Sequence, residues 1–250
     1  MHAPSDDHDL AAALAEEAGR LLLEVRAELA GAPLEELKAE GDRRSNRLLL
    51  ARLAEARPDD AVLSEESPDD PARLAAARVW IVDPLDGTRE FSEGRTDWAV
   101  HVALWSQGSL VAGAVALPAL RELHRTKPPT PLPPVPDRPA RVLVSRTRPP
   151  AWAEGLAERL GGELYPMGSA GAKAMAVLRG EADVYAHAGG QYEWDSAAPV
   201  AVAAAAGLSP TRLDGSPLVY NQPSPYLPDL LVCRPDLVAP VRAALAELDV

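Results

Sequence analysis

Residues 80–88 read Trp-Ile-Val-Asp-Pro-Leu-Asp-Gly-Thr and are the most informative stretch of this 250-residue chain. The three apolar residues at its start predict a β-strand, and the Asp, Pro and Gly residues predict a loop at the strand's carboxyl end. Asp83 and Asp86, separated by a rigid proline, can converge on one point. Hard divalent cations such as Mg²⁺ take oxygen ligands of this kind. The stretch is therefore a candidate cation site, with Gly87 and Thr88 placed to offer backbone amides to an anion.

The same stretch also has a simpler interpretation, an Asp/Pro/Gly turn that caps a helix. Taken alone, that interpretation is favoured, because such turns are common. Three further acidic positions change the balance: Glu65 ends a β-type run, Asp195 opens an apolar helix, and Asp42 precedes a predicted helix. Asp195 and Asp42 could each serve only as a helix N-cap. Four acidic clusters at the boundaries of predicted elements nevertheless favour a shared site.

The first half of the chain reads as two helices followed by strands. Apolar residues recur at intervals of three and four from Leu10 to Leu29, which predicts an amphipathic helix closed by Gly31. A second helix is predicted to start after Asp42 and to end before Pro58. β-type runs follow at residues 61–63, 79–82, 99–105, 110–117 and 122–125.

A proline-rich segment divides the chain. Residues 128–139 contain seven prolines, a density that the interior of a helix or sheet does not tolerate. We predict an α+β half (residues 1–127) with most of the candidate ligands, a linker (128–140), and an α/β half (141–250) with Asp195. Strands and helices alternate in the second half, with β-type runs at residues 141–144 and 183–186. Layered helices and sheets are therefore expected.

Composition excludes several classes of function. The formal net charge is −12 and no basic stretch offsets it, so polymeric nucleic acid is not an expected partner. The longest apolar run, residues 197–206, is too short to cross a bilayer. The acidic N-terminus lacks the apolar core of a signal peptide, which predicts a cytoplasmic protein. Cys233, the single cysteine, lies in an apolar run and is interpreted as a buried hydrophobic residue.

Together the motifs resemble those of a known family. Glu65-Glu66, the stretch 80–88, and Trp-Asp-Ser-Ala-Ala at 194–198 are similar to the three signatures of the inositol monophosphatase superfamily. The resemblance covers roughly residues 10–210. It implies an α+β fold, a layered α/β/α/β/α sandwich of the sugar-phosphatase type, and magnesium-dependent phosphomonoesterase activity. Gly-Thr-Arg-Glu-Phe at 87–91 resembles the CysQ-type 3′(2′),5′-bisphosphate nucleotidases more closely than the inositol phosphatases.

The resemblance also implies which residues hold metal. One Mg²⁺ would be bound by Glu65, Asp83 and the backbone carbonyl of Leu85, and a second by Asp83, Asp86 and Asp195. A third, looser ion would lie near Glu65. Two close cations would reverse the negative field of the carboxylates, polarise the phosphoryl oxygens and lower the pKa of bound water.

Catalytic and substrate-binding roles are implied in the same way. Asp42 and Thr88, assisted by Glu65, would orient and deprotonate the attacking water. The implied substrate-binding residues are Gly87, Thr88, Ser169, Lys173 and Arg146. Lys173 would pair with a second, remote phosphate of the substrate, with help from Arg146. For both basic residues a solvated surface position is the competing interpretation.

The resemblance indicates 3′-phosphoadenosine 5′-phosphate as substrate, a by-product of sulfate assimilation that would be hydrolysed to AMP and phosphate. Its sulfated form, 3′-phosphoadenosine 5′-phosphosulfate, is a second candidate. Inositol 1-phosphate and fructose 1,6-bisphosphate are alternatives, although Ala188 stands where inositol phosphatases have a substrate-binding Glu. A metal- or nucleotide-binding relative without activity is a third reading, which Thr88 argues against because a binder needs no water-activating hydroxyl. Inhibition by Li⁺ and a homodimer are further expectations from the family.

Overall fold

Two long helices open the chain in the computed structural model, which describes residues 6–248 and 250. Helix α1 (Asp7–Glu28) is capped by Asp6, whose carboxylate accepts a hydrogen bond from the Asp9 amide. Helix α2 (Leu34–Ala56) begins well before Asp42. The prediction that this helix starts after Asp42 is therefore wrong, and so is the N-cap interpretation of that residue.

A close packing contact explains why α2 continues through Asp42. The preceding residue, Gly41, resembles a helix breaker in the sequence, yet it is buried inside the helix. A Cβ atom at this position would lie 3.0 Å from side-chain atoms of both Leu85 and Phe91. The glycine therefore allows α2 to approach the 80–88 loop and brings Asp42 next to it.

Five strands form the first sheet, in the order of the sequence. They are β1 (Ala61–Ser64), β2 (Arg78–Asp86), β3 (Ala99–Ser106), β4 (Ser109–Leu117) and β5 (Glu122–Arg125). Strand β1 pairs with β2 in parallel, and the other neighbours are antiparallel. The register of β2 against β3 shifts between Asp83 and Asp86. The extra residue lets Asp83 and Asp86, which stand three apart and would otherwise point to opposite faces, lie on the same side of β2. Helix α3 (Thr88–Ser92) follows directly.

The second sheet has the order β7-β6-β8-β10-β9. Its strands are β6 (Arg141–Ser145), β7 (Glu163–Met167), β8 (Val184–Tyr192), β9 (Ser209–Thr211) and β10 (Tyr226–Cys233). Strand β6 is parallel to β7 and β8, whereas β10 is antiparallel to β8 and β9. The helices of this half are α4 (Ala153–Arg159), α5 (Ala170–Leu178), α6 (Glu193–Ala205) and α7 (Val238–Glu247).

Three buried apolar clusters stack these elements into five layers. One cluster packs α1 and α2 on the face of the first sheet that carries Trp80 and Val82. A second packs the opposite face, with Val79 and Ile81, against α5, α6 and the second sheet. The third packs α4 and α7 on the outer face of the second sheet and contains Cys233. The predicted α+β fold and its α/β/α/β/α layering are confirmed, as is the burial of Cys233.

The proline-rich segment lacks regular structure, as predicted. Residues 126–140 contain neither helix nor strand. The central layer of α5 and α6 contacts both sheets, so the two halves of the chain share one core. Their separation into parts 1–127, 128–140 and 141–250 stays a prediction. Among the residues that the structure describes, no helix is both long and apolar enough to cross a membrane.

Candidate active site

Three aspartates converge at one end of the first sheet. Asp83 and Asp86 come from the end of β2, and Asp195 comes from the first turn of α6. One carboxylate oxygen of each residue lies within 4.8 Å of those of the other two. Asp83 and Asp86 are buried and Asp195 is half-buried. The group is a set of hard oxygen donors that could hold a divalent cation, and it joins residues from both halves of the chain.

The first turn of α6 fixes Asp195. The residue is not the N-cap of this helix, because Tyr192 occupies that position. Asp195 instead accepts a hydrogen bond through Oδ2 from the Tyr192 amide, at 2.6 Å. The Asp195 carboxylate thus stabilises the start of the helix and also belongs to the aspartate cluster.

The start of α5 anchors Asp86. Its Oδ2 accepts hydrogen bonds from the Ser169 hydroxyl and the Gly171 amide, and its Oδ1 accepts one from the Ala170 amide. Burial alone would raise the pKa of Asp86, but the charge and contact of His101 together with these donors hold it at about 2. Within the described residues Oδ1 accepts a single hydrogen bond, so it is the oxygen that retains capacity for a cation.

The remaining carboxylates repel one another. Burial, followed by the charges of Glu65, Asp86 and Asp195, raises the pKa of Asp83 well above its usual range. Burial and then Asp86 raise the pKa of Asp195 to about 6. Glu65 is partly exposed to solvent, but its carboxyl group contacts Asp83, and desolvation with the charge of Asp195 raises its pKa to about 7. A divalent cation at this point would remove the repulsion.

These shifts predict how the metal-free protein responds to pH. The carboxyl groups of Glu65, Asp83 and Asp195 keep protons to higher pH when folded than when unfolded. The unfolding free energy should therefore fall as pH rises from about 5 to about 8. In thermal unfolding with EDTA, we expect this decline to be smaller in Asp83→Asn than in the native protein. Mg²⁺ should raise the melting temperature more at the higher pH, and identical pH profiles for the two proteins would contradict the repulsion.

Thr88 and Asp42 meet on the other side of the loop. The hydroxyl oxygen of Thr88 lies 3.5 Å from Asp42 Oδ1 and 3.2 Å from the carbonyl oxygen of Leu85. Burial, followed by the charge of Glu66, raises the pKa of Asp42 to about 7. A carboxylate with this pKa is suited to act as a general base near neutral pH. The structure thus places the predicted catalytic pair side by side.

A cavity of about 330 Å³ opens beside the aspartates. Asp86 and Asp195 are among the residues that line it. All of the predicted substrate-binding residues also line this cavity, namely Gly87, Thr88, Ser169, Lys173 and Arg146. Gly87 has a φ of +88°, and a Cβ atom there would lie 3.0 Å from the Ser169 side chain, so the glycine keeps this wall of the cavity close to the loop.

Lys173 is not the solvated surface residue that the competing interpretation supposed. Its side chain is buried, its ammonium group donates a hydrogen bond to the carbonyl oxygen of Ser169 at 2.6 Å, and it lies over the ring of Tyr185. Burial lowers the pKa of Lys173, although nearby carboxylates, Asp86 foremost, oppose this effect. An ammonium group has three donors, so Lys173 keeps hydrogen-bonding capacity for an anion in the cavity.

Arg146 is partly exposed and already paired. Its Nη2 donates to Oε1 of Glu90 and to Oε2 of Glu93, both at 2.8 Å. The side chain therefore lines the cavity as part of an ion-pair network, and its charge is largely balanced by two carboxylates.

Sequence reasoning missed two features of the site. Strand β8 was predicted to end at residue 186 but continues to Tyr192, which adds His187 and Gln191 to the cavity wall. Gly189 and Gly190 resemble a strand end in the sequence. The strand pattern gives His101 no role in the site, yet its Nε2 lies 3.2 Å from Asp86 Oδ2. A polar residue at an inward position of a buried strand was the available signal.

Comparison with known proteins agrees with this architecture. The family model described as the inositol monophosphatase family matches residues 6–130 and 135–244. A 3′-phosphoadenosine 5′-phosphate phosphatase of Mycobacterium tuberculosis is 53% identical over 240 residues, which are 92% of this chain and 90% of the relative. A 3′(2′),5′-bisphosphate nucleotidase CysQ of Escherichia coli is 33% identical over 181 residues, covering 68% of this chain and 74% of the relative.

Solved structures show the same fold. The crystal structure of CysQ from Bacteroides thetaiotaomicron, described as a bacterial member of the inositol monophosphatase family, superposes with a TM-score of 0.78 at 28% identity. The match covers 90% of this chain and 96% of that structure. SuhB of Mycobacterium tuberculosis superposes with a TM-score of 0.72 at 25% identity and covers 100% and 99%. With both the family model and these relatives matching across the two halves, the chain belongs to the inositol monophosphatase family.

Proposed function

We propose that this protein is a phosphomonoesterase that hydrolyses the 3′-phosphate of 3′-phosphoadenosine 5′-phosphate to give AMP and phosphate. The observation that carries the proposal is the convergence of Asp83, Asp86 and Asp195 beside a cavity with a buried lysine. The 53% identity to a phosphatase named for this substrate supports the choice of substrate. The sulfated form, 3′-phosphoadenosine 5′-phosphosulfate, is proposed as a second substrate. The reaction would belong to sulfate assimilation.

We propose Mg²⁺ as the metal, because the donors are carboxylate and carbonyl oxygens. Asp83, Asp86 and Asp195 would hold one ion. Glu65, Asp83 and the carbonyl of Leu85 would hold another, and a third would lie near Glu65. When bound, Mg²⁺ supplies Lewis-acid polarisation of the phosphoryl group and a water of lowered pKa. The mutual repulsion of these carboxylates favours such binding.

The residues of the chain then position the substrate and move one proton. Thr88 Oγ1 would orient the attacking water, and Asp42, with its pKa of about 7, would accept the proton. Glu65 would assist from the other side of the loop. The amides of Gly87 and Thr88 would hold a phosphoryl oxygen in place as charge develops.

The same cavity would also take the second phosphate. Lys173 is the proposed partner because its ammonium group is buried and has unused donors. Arg146 would contribute less, since two carboxylates already balance it. Ser169 lines the cavity, but its hydroxyl donates to Asp86 and accepts from the Ala172 amide. Its contribution would therefore be to hold Asp86 and the cavity wall.

A phosphate-release assay with Mg²⁺ tests the proposed function. The substrates are 3′-phosphoadenosine 5′-phosphate, inositol 1-phosphate and fructose 1,6-bisphosphate, each with and without EDTA. We expect the highest kcat/KM with the nucleotide and no release with EDTA. A higher kcat/KM with inositol phosphate would contradict the substrate, and no release from any of the three would contradict the activity. Inhibition by Li⁺, a homodimer and a cytoplasmic location stay predictions from the sequence.

Replacing Lys173 by methionine should weaken recognition of the second phosphate. A charge-assisted hydrogen bond contributes about 1.5–3 kcal/mol, so we expect KM for 3′-phosphoadenosine 5′-phosphate to rise by about 10- to 100-fold. KM for 3′-AMP, which lacks the second phosphate, should change little. Lys127→Met on the exposed surface is the matched control. An equal rise in KM for the two substrates would show that Lys173 does not bind the second phosphate.

A further inference from the structure

The buried ring of His101 lies between two segments that carry candidate metal ligands. The side chain is fully buried. Its Nδ1 lies 3.0 Å from the carbonyl oxygen of Trp194, the residue directly before Asp195. Its Nε2 lies 3.2 Å from Oδ2 of Asp86. The Nε2 position is poorly aligned for a hydrogen bond, so this second contact is a close approach of two polar atoms.

The position of the ring depends on the glycine at position 171. A Cβ atom on Gly171 would lie 2.0 Å from Nε2 of His101. No heavy atom tolerates such an approach, so only glycine permits the ring to sit here. The Gly171 amide also donates to Oδ2 of Asp86 at 2.6 Å. The ring therefore packs against both the first turn of α5 and the Asp86 carboxylate.

The contacts of His101 matter because the two candidate metal ligands that they link, Asp86 and Asp195, lie far apart in the sequence. Asp86 belongs to the first sheet and Asp195 to α6, so their distance depends on contacts between layers. The ring touches Asp86 directly and reaches Asp195 through the preceding peptide group. We propose that His101 is a positioning residue that sets the distance between Asp86 and Asp195 and thereby the affinity of the cation site. Residues that orient metal ligands in this way typically change metal affinity by about 10- to 100-fold when replaced.

Calorimetric titration of the EDTA-treated protein with Mn²⁺, without substrate, tests the proposal. His101→Leu keeps a side chain of similar volume and removes both polar contacts. It should therefore weaken Mn²⁺ binding by at least about tenfold. His101→Gln can restore a donor near Asp86 and His101→Asn a donor near Trp194, so their affinities should be intermediate. The matched control is His124→Leu. His124 is also buried in the first sheet, but it contacts Glu122 and Thr130 instead of the aspartates.

Gly171→Ala provides a second route to the same result. Its added methyl group should displace the ring while the histidine remains, so it should also weaken Mn²⁺ binding by at least about tenfold. Thermal unfolding in EDTA identifies any variant that fails to fold, and the other variants then carry the test. Native affinity in both His101→Leu and Gly171→Ala would overturn the positioning role alone. Absence of Mn²⁺ binding by the native protein would overturn the proposed metal site together with it.

Discussion

Asp83→Asn should reduce kcat for phosphate release by about 10²–10³-fold or more. Asp83 is the most deeply buried carboxylate of the cluster, and its Oδ1 accepts a hydrogen bond from the Leu85 amide at 3.0 Å. Asparagine has the same shape and can keep that hydrogen bond, so the loop should fold normally. It lacks the negative charge, however, and is therefore a much weaker ligand for a divalent cation.

The same substitution should stabilise the metal-free protein. Asp83 is crowded by Glu65, Asp86 and Asp195, and a neutral side chain removes its share of the repulsion. We expect Asp83→Asn to melt at a higher temperature than the native protein in EDTA, and to gain less from Mg²⁺. Asp59→Asn, at an exposed position, is the control for loss of one acidic charge. Near-native turnover of Asp83→Asn would rule out its assignment as a metal ligand.

Asp42→Asn should lower kcat by about 10²–10³-fold while leaving metal affinity nearly unchanged. Asp42 lies outside the three clustered aspartates and contacts Thr88 instead. A general base acts only when deprotonated, so kcat of the native enzyme should rise with pH through about 7, the pKa of Asp42. The variant should lose this limb of the pH profile, which steady-state kinetics from about pH 5.5 to about pH 9 would show.

Variants of the neighbouring hydroxyl separate the role of Asp42 from general damage to the site. Thr88→Ala should lower kcat strongly, whereas Thr88→Ser keeps the hydroxyl and should retain most of the activity. Glu36→Gln is the control for removing an acidic charge from an exposed position on α2. Retention of the native pH profile in Asp42→Asn would assign the proton transfer to another group.

The aspartate cluster was predictable because its members stand at recognisable boundaries. Asp83 and Asp86 follow an apolar strand, and Asp195 stands in the first turn of an apolar helix. Short-range sequence patterns place each of these residues at the boundary of a helix or a strand. The contact between Asp86 and Asp195 depends on how the layers stack, and there the resemblance to known motifs supplied what periodicity could not.

The errors arose where packing overrides local preference. Gly41 resembles a helix breaker, but its missing side chain is what lets α2 pass close to the loop. Gly190 resembles the end of a strand, yet β8 continues past it because β10 pairs with residues on both sides of a register shift at Gly189 and Gly190. The same limit left a solvated position open as the competing interpretation of Lys173, because only the packing of α5 between two sheets buries this side chain. Burial of this kind comes from long-range contacts that a single sequence does not display.

The central layer of α5 and α6 also determines when the site can form during synthesis of the chain. A nascent chain that has emerged as far as residue 140 carries Asp83 and Asp86 but lacks Asp195. It also lacks α5 and α6, which cover the apolar face of the first sheet that includes Val79 and Ile81. Until those helices emerge and dock, this face is exposed and prone to non-native association. Cleavage within the proline-rich segment should therefore yield two fragments that are fully active only when both are present together.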